Sequence, residues 1–274
     1  MKKSNSLPVF LILSVLAVLT SCEEVIRLEL KNTEPRVVIG ATLNATKGEC
    51  MVQVTKSLGF YQNDSIIILE GITVDLVKGS GTAQSLAETS PGVYSASGLT
   101  VNPGEVYRVN VILSSEERYS AETKTPGAIF LDSLKVVRGF GDPRPTSPPI
   151  FLIKPIWKDP AGVANFYRFK VTTNGRPQTG SLTITDDEPF DGTVVDMPLY
   201  RYGFAIGDTV RLEFQSIDSL SYSYFTQIND MARPSFVSAT PYNPVGNFDN
   251  GALGYFGIYW SEVRDLIISG RTGQ

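Results

Sequence analysis

Between Arg36 and Thr125 the sequence repeats one pattern, a short run rich in branched and aromatic residues followed by turn residues. The runs VVIGATL, CMVQVTKSL, IIILEGITVDLV, VYSASGLTV, VYRVNVIL and RYSAETK succeed one another at this spacing. Such side chains suit a pleated surface, and a period of two puts every second one on a common face, so the stretch buries itself best as packed sheets. Cys50, Val52 and Val54 share one face of such a strand, with Met51, Gln53 and Thr55 on the other. Likewise Tyr107, Val109 and Val111 oppose Val106, Arg108 and Asn110, and the first set is expected to face the core. The segments Pro91-Gly92-Val93-Tyr94 and Asn102-Pro103-Gly104-Glu105 carry turn chemistry. Tyr107, at the head of its strand, stands where a tyrosine corner of an immunoglobulin-type sandwich would.

Thr125-Pro126-Gly127 breaks the pattern, and a domain boundary is expected near Pro126. Beyond it a proline-dense stretch from Gly139 to Pro149 reads as an extended loop, because the apolar run IFLIKPIW follows directly. Strands are predicted over 166–172, 209–216 and 254–260. One segment differs: after Asp218 or Ser219 as a cap, Leu220, Tyr224, Ile228 and Met231 recur at helical spacing, and Pro234 stops the run. The expected fold is therefore mainly β, with two β-sandwich-like domains, the second carrying one short helix. Residues 36–126 form the N-terminal immunoglobulin-like sandwich and 127–274 the C-terminal β-rich domain.

The amino terminus points to a location. Lys2 and Lys3 precede the apolar stretch LPVFLILSVLAVL, which suits a signal peptide but falls short of the roughly 20 residues of a spanning helix. It ends in Leu19-Thr20-Ser21-Cys22, a lipobox-like sequence in which Cys22 would receive lipid. Residues 1–21 are thus expected to be a lipoprotein signal peptide and 22–35 a tether. One acyl chain holds a protein marginally, whereas two or three, at about 0.8 kcal/mol per buried methylene, anchor it stably. Glu23 and Glu24 follow at once and read either as a surface-export signal or as a solvated tether. Of the two cysteines only Cys50 then stays free, as a small core residue.

Composition narrows the chemistry. The chain of 274 residues has no histidine, which removes the usual general base at neutral pH and the Ser-His-Asp and Cys-His arrangements. With 24 basic against 28 acidic residues and no basic run beyond Lys2-Lys3, no nucleic-acid partner is expected. The densest acidic cluster is TDDEPFDG, where Asp186, Asp187 and Asp191 could supply oxygen ligands to calcium. The spacing does not match the EF-hand loop, and a solvated hairpin loop is the competing reading; no other cofactor is expected. A paired-carboxylate glycosidase is a further reading of the same residues.

Half of the chain's aromatic residues lie between Tyr200 and Trp260. Periodicity assigns most of them to the core. Tyr242, Phe248 and Trp260, beside glycine- and asparagine-rich loops, are the candidates for an exposed partner-binding platform. In NGALGYFGIYW, Gly251, Gly254 and Gly257 permit close backbone approach or positive φ, so this run is expected to thread a tight turn into a buried strand.

Taken together these features resemble the Bacteroidota lipoprotein family catalogued as domain of unknown function four-two-four-nine. The carriers are Cys22 with its acidic start, Arg36-Val37-Val38-Ile39, Pro91-Gly92-Val93-Tyr94, Val106-Tyr107, Asp132-Ser133-Leu134 and Asn165-Phe166-Tyr167-Arg168-Phe169. Phe190-Asp191-Gly192 and Asn250-Gly251-Ala252-Leu253-Gly254-Tyr255-Phe256-Gly257 complete them. The resemblance implies a predominantly β lipoprotein often encoded beside TonB-dependent outer-membrane transporters, and it supplies no catalytic residues. The expectation is a non-catalytic binding or accessory protein, anchored by lipid in the outer membrane, on its cell-surface or its inner face, and partnered with such a transporter. The alternatives are a cell-envelope hydrolase using carboxylates and a structural envelope or adhesin protein.

Overall fold

The computed structural model describes residues 35–58, 67–140, 148–180, 182–232 and 242–270. The expected signal peptide 1–21, Cys22, Glu23, Glu24, nearly all of the tether, most of the proline-dense loop and Pro234 lie outside the described residues. Among the described residues no helix is long and apolar enough to cross a membrane.

The alternation in the sequence becomes a hairpin of β1 (Val37–Asn44) and β2 (Glu49–Lys56). Ile39, Ala41 and Leu43 from one strand and Cys50, Val52 and Val54 from the other point to the same side and are buried. Opposite them lies a four-stranded sheet built on β4 (Thr73–Lys78), β8 (Val106–Ile112) and β9 (Arg118–Lys124). It contributes Val74, Leu76, Tyr107, Val109 and Val111 to the first core. The tyrosine-corner expectation has a counterpart: the Tyr107 hydroxyl lies 3.0 Å from Glu105 Oε2 and 3.3 Å from the Thr100 carbonyl oxygen.

A second core forms between β11 (Phe151–Lys158), flanked by β10 (Ser133–Arg138) and β15 (Val194–Asp196), and the strands β12 (Phe166–Thr173) and β16 (Thr209–Ile217). Its centre is Trp157, whose ring meets Tyr167 at 5.1 Å and Phe214 at 5.3 Å between centroids. Burying aromatic side chains of this size contributes roughly 1.5–3 kcal/mol each.

The two cores share one large sheet. Its ten strands include β12, β16, β1 and β2, joined through β17 (Leu253–Ile267), which pairs antiparallel with β16 and parallel with β1. The parallel register runs from Val38 opposite Leu253 to Asn44 opposite Tyr259. The expected strand over 254–260 is therefore longer, because β16 supplies hydrogen-bond partners along the polar continuation SEVRDLI as well. Phe256 and Ile258 enter the first core and Leu266 packs on the second; their even spacing keeps them on one face. Between them the connector after Thr125 is fastened down. The Trp260 indole donates to the Pro126 carbonyl at 2.9 Å, Ser216 Oγ donates to the Gly127 carbonyl at 2.8 Å, and the Leu131 amide donates to Glu262 at 2.8 Å.

The helix α1 (Ser219–Met231) lies on the opposite face of this sheet, with Asp218 as its cap. The expected packing face is corrected: Leu220 and Met231 are exposed, and the buried residues are Ser221 and Phe225. The physical reason is the surface beneath. A Cβ on Gly257 would stand 2.0 Å from Ser221 Oγ, so the helix approaches through a serine over a glycine, and the next turn delivers Phe225 to the sheet. Gly254 is constrained too. Its φ is +98°, and a Cβ there would meet the Ile39 carbonyl oxygen at 2.1 Å, as the tight approach read from NGALGYFG requires.

Candidate functional site

Two places gather chemically active side chains. The first lies at the end of β11, where the chain turns out of the second core. Asp159 is fully buried there, and its carboxylate oxygens fall within 4.8 Å of those of Asp187 and Asp191. The Tyr167 hydroxyl donates to Asp159 Oδ1 and the Gly192 amide to its Oδ2 at 3.0 Å. Asp187 Oδ2 accepts the Asn165 amide at 2.8 Å, and Asp191 Oδ1 accepts the Gly162 amide at 2.8 Å. Burial and the neighbouring Asp159 carboxylate push the Tyr167 hydroxyl far above its usual range, so it stays a donor.

The expected metal set is thereby redrawn. Asp187 and Asp191 come together with Asp159, while Asp186 accepts the Tyr222 hydroxyl of α1 at 2.9 Å and is not a member. Asp186 and Asp187 are consecutive, and the side chains of neighbours in extended chain diverge. Three carboxylates are the donor chemistry of a hard cation. Here each already accepts a hydrogen bond from the backbone, which staples the loop 159–165 to the turn 187–192. The carboxylates also lie against one another rather than across a cleft, unlike a glycosidase pair. Asp159 is the member that the sequence did not reveal; its nearest signal is its place directly after an apolar strand.

The second place lies between α1 and the sheet. A cavity of about 140 Å³ is lined by Arg168, Gln215, Phe225, Tyr255, Tyr259 and their neighbours. Arg168 projects from β12 with its guanidinium 4.3 Å from the Phe225 ring centroid. The Tyr255 ring stacks on Tyr224 at 4.6 Å, and burial pushes its hydroxyl up to about 12. Lys170, which also lines the cavity, pairs with Glu213 at 2.8 Å.

The sequence matches the model of the family described as Domain of unknown function (DUF4249) over residues 23–264. The chain belongs to this family. A comparison with curated proteins finds no match. Among solved structures, a chain titled "Cytokine receptor complex - Crystal form 1A" is similar at a TM-score of 0.28 and 8% identity, over 84% of this chain and 96% of that one.

In this DUF4249 chain the three expected platform residues do not form one surface. Phe248 is 8% exposed and belongs to the first core, because the turn before β17 folds back over the sheet. Asn247 secures that turn, accepting the Phe256 amide at 2.8 Å and donating to the Phe256 carbonyl at 2.9 Å. Trp260 is half-buried, held by its bond to Pro126 and by an edge contact with Phe130 at 6.3 Å. Tyr242 is 46% exposed and alone among the three stands open, with the exposed Val245 nearby in sequence. No sequence signal distinguished Arg168 from any charged residue on the outer face of a strand.

Proposed function

We propose that this DUF4249 chain is a lipid-anchored, non-catalytic binding protein of the outer membrane that works beside a TonB-dependent transporter. The observation that carries the reading is the order of features at the amino terminus. A lysine pair, an apolar run and Leu19-Thr20-Ser21-Cys22 come first, and the family match begins at the next residue, 23. Tethering to one membrane raises the effective concentration of a partner there, so modest intrinsic affinity suffices. Exposed aromatic residues are favoured interface anchors, and Tyr242 is the expected platform residue that supports such a contact.

The test has two arms in the native bacterium. Labelled palmitate should enter the intact protein and fail to enter Cys22→Ala; equal incorporation defeats the anchor. Mild cross-linking followed by purification from membranes should recover a transporter, and Tyr242→Ala should recover less while keeping its melting curve. Recovery of no transporter with the intact protein defeats the accessory role.

A further inference from the structure

Among the described residues Arg168 has no carboxylate partner, and its Nε is buried and has no hydrogen-bond partner. Withdrawing a charged donor from water without replacing its hydrogen bonds is costly, so such a group persists where something else is served by it. The neighbouring charged groups have hydrogen-bond partners of their own. Lys170 is neutralised by Glu213. The Asp218 carboxylate beneath the helix is taken up by the Ser221 amide and hydroxyl and by the Ile258 amide. The cavity that Arg168 lines therefore presents a planar cation whose Nε has no hydrogen-bond partner.

Around that cation the lining is amphipathic. Phe225 covers one face of the guanidinium, and Thr42, Lys170, Gln215, Tyr255 and Tyr259 line the cavity with it. Buried tyrosine hydroxyls stay protonated at neutral pH and can donate to an anion. A second cavity of about 460 Å³, on the β12 side near Leu182, Thr183 and Tyr202, is also lined by Arg168 and Lys170. An arginine edge matches the two oxygens of a carboxylate in one plane. A single unmatched positive charge suits a monoanion better than a dianionic phosphate.

We propose that the cavity between α1 and the large sheet is a carboxylate-binding site centred on Arg168, taking the carboxylate of a small organic acid or of an acidic peptide side chain. The proposal stands independently of the lipid anchor and of any transporter, since it rests on the folded domain alone.

Thermal melting and calorimetric titration of the full chain in detergent, at constant ionic strength, test it. The probes are propionate, an N-acetylated and C-amidated Ala-Glu-Ala peptide, and inorganic phosphate, with chloride as the control. One or both carboxylate probes should raise the melting temperature above the chloride control, because a ligand of the native state stabilises it by mass action. Preference for propionate assigns a free acid, and preference for the peptide an acidic side chain. Arg168→Gln should weaken that binding at least tenfold while keeping a cooperative melt, with no more than the small loss in melting temperature that follows from giving up the Phe225 contact. Tyr255→Phe should weaken binding less and keep the fold. No response to either carboxylate, an equal response in Arg168→Gln, or a phosphate response as large as the carboxylate one overturns the proposal. So does loss of cooperative folding in Arg168→Gln, which marks a structural arginine.

Discussion

The carboxylate of Asp218 accepts the backbone N–H of Ile258 at 2.8 Å, tying the start of α1 to the interior of β17. The same side chain caps the helix through the Ser221 amide at 3.0 Å and accepts the Ser221 hydroxyl at 2.7 Å. A local cap is thus also the tertiary fastening that sets the helix on the sheet.

Asp218→Ala should therefore cost more than an ordinary cap. Losing the cap removes about 1 kcal/mol, and leaving the Ile258 amide buried and unpaired adds about 1–3 kcal/mol. Chemical denaturation should report a loss of about 2–4 kcal/mol. A loss within the range of a surface cap alone would deny the link to β17.

Gly257→Ala tests the same approach from the sheet side. The new methyl group would stand 2.0 Å from Ser221 Oγ and 3.0 Å from the Tyr255 ring, so the serine side chain or the helix must move. We expect a destabilisation of roughly 1–3 kcal/mol, as for other overpacked positions, partly recovered when Ser221→Gly is added. Full additivity of the two substitutions would mean that the residues do not touch.

Asp159→Ala should destabilise the second core by about 2–4 kcal/mol, because it strands the Tyr167 hydroxyl and the Gly192 amide. Calcium is expected to leave the melting temperature of the intact protein unchanged, since backbone amides and a hydroxyl already use both oxygens of Asp159 and one each of Asp187 and Asp191. A calcium-dependent rise reversed by chelation would convert the staple into a metal site.

Glu105 makes part of the stability depend on acid. Hydrogen bonds from Asn102, then the Lys78 contact, hold its carboxyl at about 2 against an ordinary 4.5. The folded chain thus releases this proton more readily than the unfolded chain. Its contribution is complete above about pH 4.5 and fades as pH falls toward about 2. Glu105→Gln should lose on the order of 1 kcal/mol at neutral pH, a discounted value for a partly exposed pair, and nothing at the acid limit. Denaturation midpoints of the two proteins across that window should converge on acidification; parallel curves would contradict the assignment.

Cys50 is 1% exposed, and burial pushes its thiol up to about 12. The thiolate is the reactive form, so a thiol reagent should label the native protein on the order of a hundredfold more slowly than the denatured chain. Equal rates would place the thiol at the surface.

What could be read without coordinates was the short-range structure. The faces of β2 and β8 followed from side chains alternating with period two, and a cap at Asp218 or Ser219 was legible because capping acts within one turn. Gly254 and Gly257 announced close approach, but not what approached. The features that make the candidate sites depend on partners far along the chain. β1 lies parallel to β17 more than two hundred residues later, and that pairing buries Phe248 and fixes where α1 can dock. Asp159 joins Asp187 and Asp191 only because β11 ends where the turn after β14 (Thr183–Asp186) passes. Composition and periodicity determined that this chain forms sheets and which faces they bury. Which face of the helix packs, which carboxylates meet and that Arg168 meets a phenylalanine ring rather than a carboxylate among the described residues were decided by the tertiary structure, because each depends on the group opposite, and local sequence carries no record of that group.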